Sequence, residues 1–302
     1  MIAFQRILCP IDFSEGATRA LVCAAALARG YEARLTVLHV VPVFADSMEP
    51  GFPWRGEVQP MTVAPARADL VEQMRRSIAE AGAGGLQPEL VAEEGLTHPA
   101  IIQRATSMQA DLLVLGTHGR GGINRLLLGS ITEKVVRTAP CPVLTVPPAA
   151  RGADAPQAVF KNILCPVDFA PSSLKALEYA LDLGRQADGC VTIFHAVEHR
   201  YSEELWDDGD PGPPWDREQV MARARARVHE LATRQEQTWC RIEEQVVDGR
   251  PYKATLQYAA AHGIDLIVMG AQGRGGVELM LYGSNTHHVV RAAACPVLTV
   301  RA

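Results

Sequence analysis

The chain has 302 residues, 48% of them apolar and 21% charged, with a net charge of −5. That balance describes a globular protein long enough for two ordinary domains, and it removes any general electrostatic reason to bind nucleic acid. No apolar run reaches the roughly 18 residues that a membrane-spanning helix requires, and residues 1–10 enter a strand pattern without signal-peptide architecture, so a cytoplasmic protein with no membrane partner is expected.

Arg6 to Asp12 reads as a first strand that ends on a carboxylate. A helix follows from about Ser14, with Leu21, Ala24, Ala25 and Leu27 on its apolar face. Arg34 to Val41 is a second strand, and a loop rich in Pro and Gly runs from Pro42 to about Pro65. Leu70, Met74 and Ile78 then mark a second helix at helical spacing. Glu89 to Glu93 is a third strand, and a third helix covers about Pro99 to Met108. Asp111 to Leu115 is a fourth, apolar strand leading into a glycine-rich stretch. A fourth helix runs from Ser130 to about Thr138, and a fifth strand from Pro142 to Val146.

The same order then recurs, with strands at Ile163–Asp168, Val191–Ala196, Ile242–Val247, Asp265–Met269 and Pro296–Val300. Asp168 lies 156 positions after Asp12, and Gly270 lies 154 positions after Gly116. A repeat of domain length is a tandem duplication. It divides the chain into a first domain at 1–147, a linker at 148–160 and a second domain at 161–302. Alternating strands and helices with apolar, unalternating strands predict an α/β fold, two tandem parallel sheets with helices on both faces. The seven cysteines form no disulfide framework and no Cys-x-x-Cys, so no metal site is expected. Cys9 and Cys165, and likewise Cys141 and Cys295, fall at matching positions and read as small core residues.

Both glycine-rich stretches follow one pattern, G-x2-G-x9-G-S: Gly116, Gly119, Gly129 and Ser130, then Gly270, Gly273, Gly283 and Ser284. A glycine turn between a strand's carboxyl end and a helix's amino end presents N–H groups and the positive end of a helix dipole to an anion. Open parallel sheets bind ligands beyond the carboxyl ends of their strands. Asp12 and Asp168 stand at those ends, so a carboxylate for ribose or an amine meets a cradle for phosphate. Three residues carry a second reading. Asp12 and Asp168 also suit a helix cap, and Ser130-Ile-Thr-Glu133 is a capping box in which the serine serves the helix. The stretch is neither a Walker A loop nor a dinucleotide fingerprint. His39 and His195 read as packing or backbone-satisfying residues, and the adjacent His287 and His288 diverge on their helix and make a poor chelate. Trp54 and Trp215 read as anchors of the long loops.

Taken together, Ile-Leu-Cys-Pro-x-Asp-Phe, Leu-His-Val, the two glycine patterns and Cys-Pro-Val-Leu-Thr-Val resemble the universal stress protein family, twice over. The resemblance implies an open five-stranded parallel sheet of order 3-2-1-4-5 in each half. Members that keep the glycine pattern typically bind ATP, so it implies ATP in either half, with or without Mg2+. It places Asp12 against ribose or adenine and the main chain of Val40 against adenine. Leu115, Gly116, Gly119, Arg120, Gly129, Ser130, Ile131 and Thr132 would hold ribose and phosphates. Their counterparts are Asp168, Ala196, Met269, Gly270, Gly273, Arg274, Gly283, Ser284, Asn285 and Thr286. The family's fifth strand typically forms a dimer interface, so the two halves are expected to pair as a pseudo-dimer within one chain, with a homodimer of whole chains as a further possibility.

The halves differ in charge. Arg125 and Asn124 of the first stretch become Leu279 and Glu278 in the second, and Glu203, Glu204, Asp207, Asp208 and Asp210 make the second long loop acidic. The first site is therefore expected to be the tighter one for a polyphosphate. Neither stretch supplies a carboxylate in the role of base, which favours regulatory nucleotide binding without catalytic residues. A weak ATPase or phosphotransferase, and an interaction scaffold with a structural nucleotide, are the competing readings.

Overall fold

The structure is a computed structural model that describes residues 4–42, 67–117, 128–148, 160–198, 217–234, 240–271 and 283–301. In the first half the elements are β1 (Arg6–Pro10), α1 (Glu15–Gly30), β2 (Arg34–Pro42), α2 (Arg67–Glu80), β3 (Glu89–Gly95), α3 (Thr97–Ser107), β4 (Leu112–Gly116), α4 (Ser130–Thr138) and β5 (Val143–Val146). The second half contains β6 (Asn162–Pro166), α5 (Pro171–Gln186), β7 (Cys190–Val197), α6 (Arg217–Thr233), β8 (Arg241–Asp248), α7 (Pro251–Ala261), β9 (Leu266–Gly270), α8 (Ser284–Ala292) and β10 (Val297–Val300). The strands and helices read from the sequence are present in both halves, with ends shifted by one or two residues.

The strand order is β3-β2-β1-β4-β5-β10-β9-β6-β7-β8. Each half therefore has the order 3-2-1-4-5 with parallel neighbours. The two five-stranded sheets are continuous. β5 and β10 pair antiparallel, with Thr145 opposite Val297, Leu144 opposite Leu298 and Val143 opposite Thr299. Two threonines at matching positions tie this seam reciprocally. Thr145 Oγ1 donates to the Val297 carbonyl at 3.1 Å, and Thr299 Oγ1 donates to the Val143 carbonyl at 3.2 Å. Arg301 crosses the seam and donates to the carbonyls of Val136 and Arg137 at the end of α4. The strand that is an edge in an isolated half is thus covered by its duplicate, which removes a pairing liability. The outer edges are β3 and β8, and they carry Glu89, Glu93 and Glu94, and Arg241, Glu243 and Glu244, respectively.

The central strands are apolar on both sides because helices cover both faces. Ile7, Leu8, Cys9, Ile163, Leu164 and Cys165 are all fully buried. One face, under α1, α2, α5 and α6, is a core shared by the two halves: Leu21, Met74 and Leu144 belong to the same cluster as Leu177, Val228 and Leu298. The other face holds two separate clusters, one under α3 and α4 and one under α7 and α8.

Burial sets the chemistry of the cysteines. All seven are free, and desolvation raises every thiol, to about 12 for Cys23, Cys141 and Cys295 and to about 11 for Cys190. A thiolate is the reactive form. In native protein at pH 8, Ellman's reagent is therefore expected to modify Cys190 and Cys240 first, more slowly than a free thiol. The other five react only after denaturation. Rapid modification of all seven in the native state would contradict the packing described here.

Candidate functional site

In each half the connections lead from the first strand outward in both directions, so the order reverses between β1 and β4, and again between β6 and β9. That reversal opens a crevice at the carboxyl ends of the strands. The first half brings Asp12, the end of β2 and the ends of the glycine stretch to this point. Asp168, the end of β7 and the second stretch stand at the equivalent point.

The aspartates sit in a turn that the sequence alone does not reveal. Asp12 Oδ1 accepts from the Ser14 N–H at 3.0 Å and from the Ser14 hydroxyl at 2.5 Å. Asp168 Oδ1 accepts from the Ala170 N–H at 3.0 Å. The residue between is a phenylalanine in the left-handed region, φ 64° at both Phe13 and Phe169. A bulky residue there is strained, and such strain persists where the surroundings impose it. The helix cap is a different residue. Ser14 caps α1 by accepting from the Ala17 N–H, and Ala170 occupies the cap position of α5. The aspartates therefore fix the turn without serving as the N-cap.

Strand two holds the same turn from the other side. The Ile11 N–H donates to the Leu38 carbonyl at 2.8 Å, and the Ile11 carbonyl lies 2.8 Å from His39 Nδ1. The His39 ring packs on Phe13 with centroids 4.4 Å apart. In the second half, Val167 bonds to the Phe194 carbonyl, His195 Nδ1 lies 2.7 Å from the Val167 carbonyl, and the His195 and Phe169 rings are 4.8 Å apart. Val40 and Ala196 follow directly, and their strand continues in register with Glu93 and Val247. The signal in the sequence was the constant spacing from Asp-Phe to the histidine, Asp12 to His39 and Asp168 to His195.

The glycines that open the two stretches have a packing role. A Cβ on Gly116 would lie 2.8 Å from the backbone C and O of Gly16 in α1. A Cβ on Gly270 would lie 2.7 Å from Ser172 Oγ and 2.8 Å from backbone atoms of Ser172 and Ser173. Glycine is required there so that strand four can touch the first turn of the helix after strand one. Leu115 and Met269 point their side chains into the cores. Beyond each strand the chain closes a neck. The Thr117 N–H donates to Val146 and the Thr117 carbonyl accepts from Gly129; Ala271 makes the same pair of bonds with Val300 and Gly283. Gly119, Arg120, Gly273 and Arg274 lie outside the described residues, as do Asn124, Arg125, Glu278, Leu279, Trp54, Trp215 and the acidic residues 203–210.

At the amino end of α4 the capping box that was the competing reading of Ser130 does not form. Gly129 is the N-cap of α4 and its carbonyl accepts the Glu133 N–H at 2.9 Å, so Ser130 is the first residue of the helix and does not bond to Glu133 N–H. Gly283 caps α8 in the same way by accepting from His287. Ser130 and Ser284 are exposed at these ends. The first helical N–H groups have no intrahelical partner and point outward, a set of donors suited to an anion. Thr132 and Thr286 are buried, and their hydroxyls donate to the Gly116 and Gly270 carbonyls at 2.8 and 2.9 Å. They join helix to strand, while the half-buried Ile131 packs on the core and Asn285 is half-buried in α8. Glu133 lies 3.9 Å from His287 Nε2 of the other half. Arg227 of α6 lies 3.8 Å over the Phe169 ring, a cation the sequence reading did not single out. Among the described residues no group of three or more His, Cys, Asp or Glu forms a metal site, and no helix is long and apolar enough to cross a membrane.

The universal stress protein family model matches residues 3–147 and again residues 160–301. The chain belongs to the universal stress protein family. It is 27% identical to a universal stress protein of Mycolicibacterium smegmatis over 98% of this chain and 96% of that one. It is 37% identical to a universal stress protein of Thermus aquaticus over 47% of this chain and 98% of the relative. Relatives thus occur in both single and double form. A universal stress protein structure from Archaeoglobus fulgidus covers 98% of this chain and 98% of its own, with a TM-score of 0.64 at 20% identity, which supports the fold at full length.

Proposed function

We propose that the protein binds ATP in the crevice at the carboxyl ends of the parallel strands and acts as a cytoplasmic, nucleotide-responsive regulator. The observation that carries this reading is the recurrence, in both halves and at the point of strand reversal, of a strained aspartate turn beside a helix amino end that has a glycine N-cap and no side-chain cap bond. Asp12 or Asp168 accepts hydrogen bonds from ribose hydroxyls or the adenine amine. The main chain at Val40 or Ala196 pairs with the base edge. The N–H groups of residues 130–132 and 284–286 take phosphate oxygens, joined by Gly119, Arg120, Gly273 and Arg274 of the glycine stretches. ATP supplies the polyphosphate charge, with Mg2+ as its counter-ion, and the donors described suit such an anion. These groups hold and orient. The carboxylate at the site already accepts two bonds from Ser14 in the first half, an arrangement for binding and not for activating water.

The test is to denature purified protein, identify released nucleotide by mass spectrometry and count moles per chain. The expected result is ATP, held more tightly by the first site because that stretch carries Arg125 where the second has Leu279. ATP lost in Asp12→Ala and kept in Asp168→Ala would assign the tighter site to the first half. Equal loss in both variants would remove the asymmetry. No released nucleotide and no binding in titration would refute the reading. Release of ADP alone would favour slow hydrolysis.

A further inference from the structure

We infer that His39 and His195 are positioning residues of the two crevices: each locks the strained turn that aims the strand-one aspartate. The inference rests on the nucleotide reading above and deepens it. Three observations meet at each histidine. First, Nδ1 faces a main-chain carbonyl, Ile11 at 2.8 Å or Val167 at 2.7 Å. A carbonyl only accepts, so Nδ1 carries the proton and Nε2 is the basic nitrogen of the neutral ring. Second, the same ring packs on the phenylalanine at φ 64°, two residues beyond that carbonyl. Third, the aspartate lies between these two anchor points, and its Oδ1 accepts from residue 14 or 170.

The histidine therefore clamps the chain on both sides of the aspartate. Removing the ring releases the carbonyl of residue 11 or 167 from its side-chain partner and removes one ring contact of the left-handed phenylalanine, which in the second half also lies under Arg227. A φ of 64° costs a non-glycine residue energy, and the ring contact no longer opposes its relaxation. The turn relaxes and the carboxylate swings away from the ligand. The histidine also precedes Val40 or Ala196, so the clamp sets the distance between the two groups proposed to read the nucleoside. The recurrence of carbonyl bond, ring contact and φ value in halves that differ at the helix cap, Ser14 against Ala170, argues that the assembly is retained for the site.

The experiment uses the full chain. ATP binding is titrated by calorimetry and melting is followed by circular dichroism for wild type, His39→Leu, His39→Asn and the same pair at His195. Asparagine places an N–H donor near the Nδ1 position. The expected result is about tenfold weaker binding at one class of site in His39→Leu and at the other in His195→Leu, the size of one misaligned contact. Melting shifts by only a few degrees, and the asparagine variants recover most of the affinity. Long-range 1H–15N correlation on wild-type protein is expected to report the Nδ1–H tautomer for both rings. Wild-type affinity in the leucine variants, or an Nε2–H tautomer, overturns the inference even while ATP binding stands. The tautomer measurement decides the matter if a leucine variant does not fold. Absence of ATP binding in wild type refutes the nucleotide reading itself.

Discussion

Leu144→Asp is expected to unfold the protein or to lower its melting temperature by well over ten degrees. Leu144 lies opposite Leu298 at the centre of the three-pair seam, and each is 2% exposed. Both belong to the core that runs under α1 and α5. Removing a buried leucine side chain costs about 2–5 kcal/mol. An aspartate there adds a buried charge with no partner, at several kcal/mol more. The sum is comparable to the roughly 5–15 kcal/mol by which a folded domain is stable. Leu144→Ala isolates the first part, and about 3 kcal/mol corresponds to roughly 6–12 °C in a chain of this size class. Thermal denaturation followed by circular dichroism checks both variants. A Leu144→Asp protein that melts within about two degrees of wild type would show that the halves fold without the seam. The shared cluster predicts the opposite, because no boundary divides Leu21 and Met74 from Leu177 and Val228.

The elements were legible because buried parallel strands and amphipathic helices write their periods directly into sequence. Ile7 to Pro10 and Ile163 to Pro166 are apolar throughout, and Leu70, Met74 and Ile78 fall on one helical face. The pairing of strand five with its duplicate was expected from the family resemblance, and it meets a simple demand, that an exposed edge be covered. The site was legible only as positions. Asp12 stood out as a charge at the end of an apolar run, but its hydrogen bonds to Ser14 and the φ of Phe13 depend on a ring from strand two, 26 residues beyond Phe13. Ser130 was ambiguous because a capping box and a phosphate contact ask for the same residues. The choice depended on whether Gly129 adopted the cap conformation, which is a matter of backbone and not of composition. The packing role of Gly116 was hidden for a related reason. Its pattern matches an anion loop, while its contact is with α1, an element whose approach the local sequence does not encode.

Gly116→Ala and Gly270→Ala are accordingly expected to destabilise the fold strongly. Each new methyl would meet main-chain atoms at 2.8 Å, closer than real Cβ atoms come, and main chain in a helix's first turn cannot rotate aside. Overpacking of this kind costs about 3 kcal/mol, again roughly 6–12 °C. Displacing α1 also moves the Asp12 turn, which connects β1 to that helix, and the Thr117 neck. ATP binding is therefore expected to fall as well, as a consequence of misplacement and not of a lost phosphate contact. Gly129→Ala separates the two causes. Its φ of −58° and ψ of 136° are open to alanine, so backbone strain does not oppose the change. There the melting temperature is expected to hold within about two degrees while ATP affinity drops, because a methyl at the N-cap stands where an anion would approach the helix end. Gly116→Ala with an unchanged melting temperature would mean that α1 yields to the methyl. Gly129→Ala with unchanged affinity would mean that the phosphates lie away from the amino end of α4, and the donors of residues 130–132 would lose their proposed role.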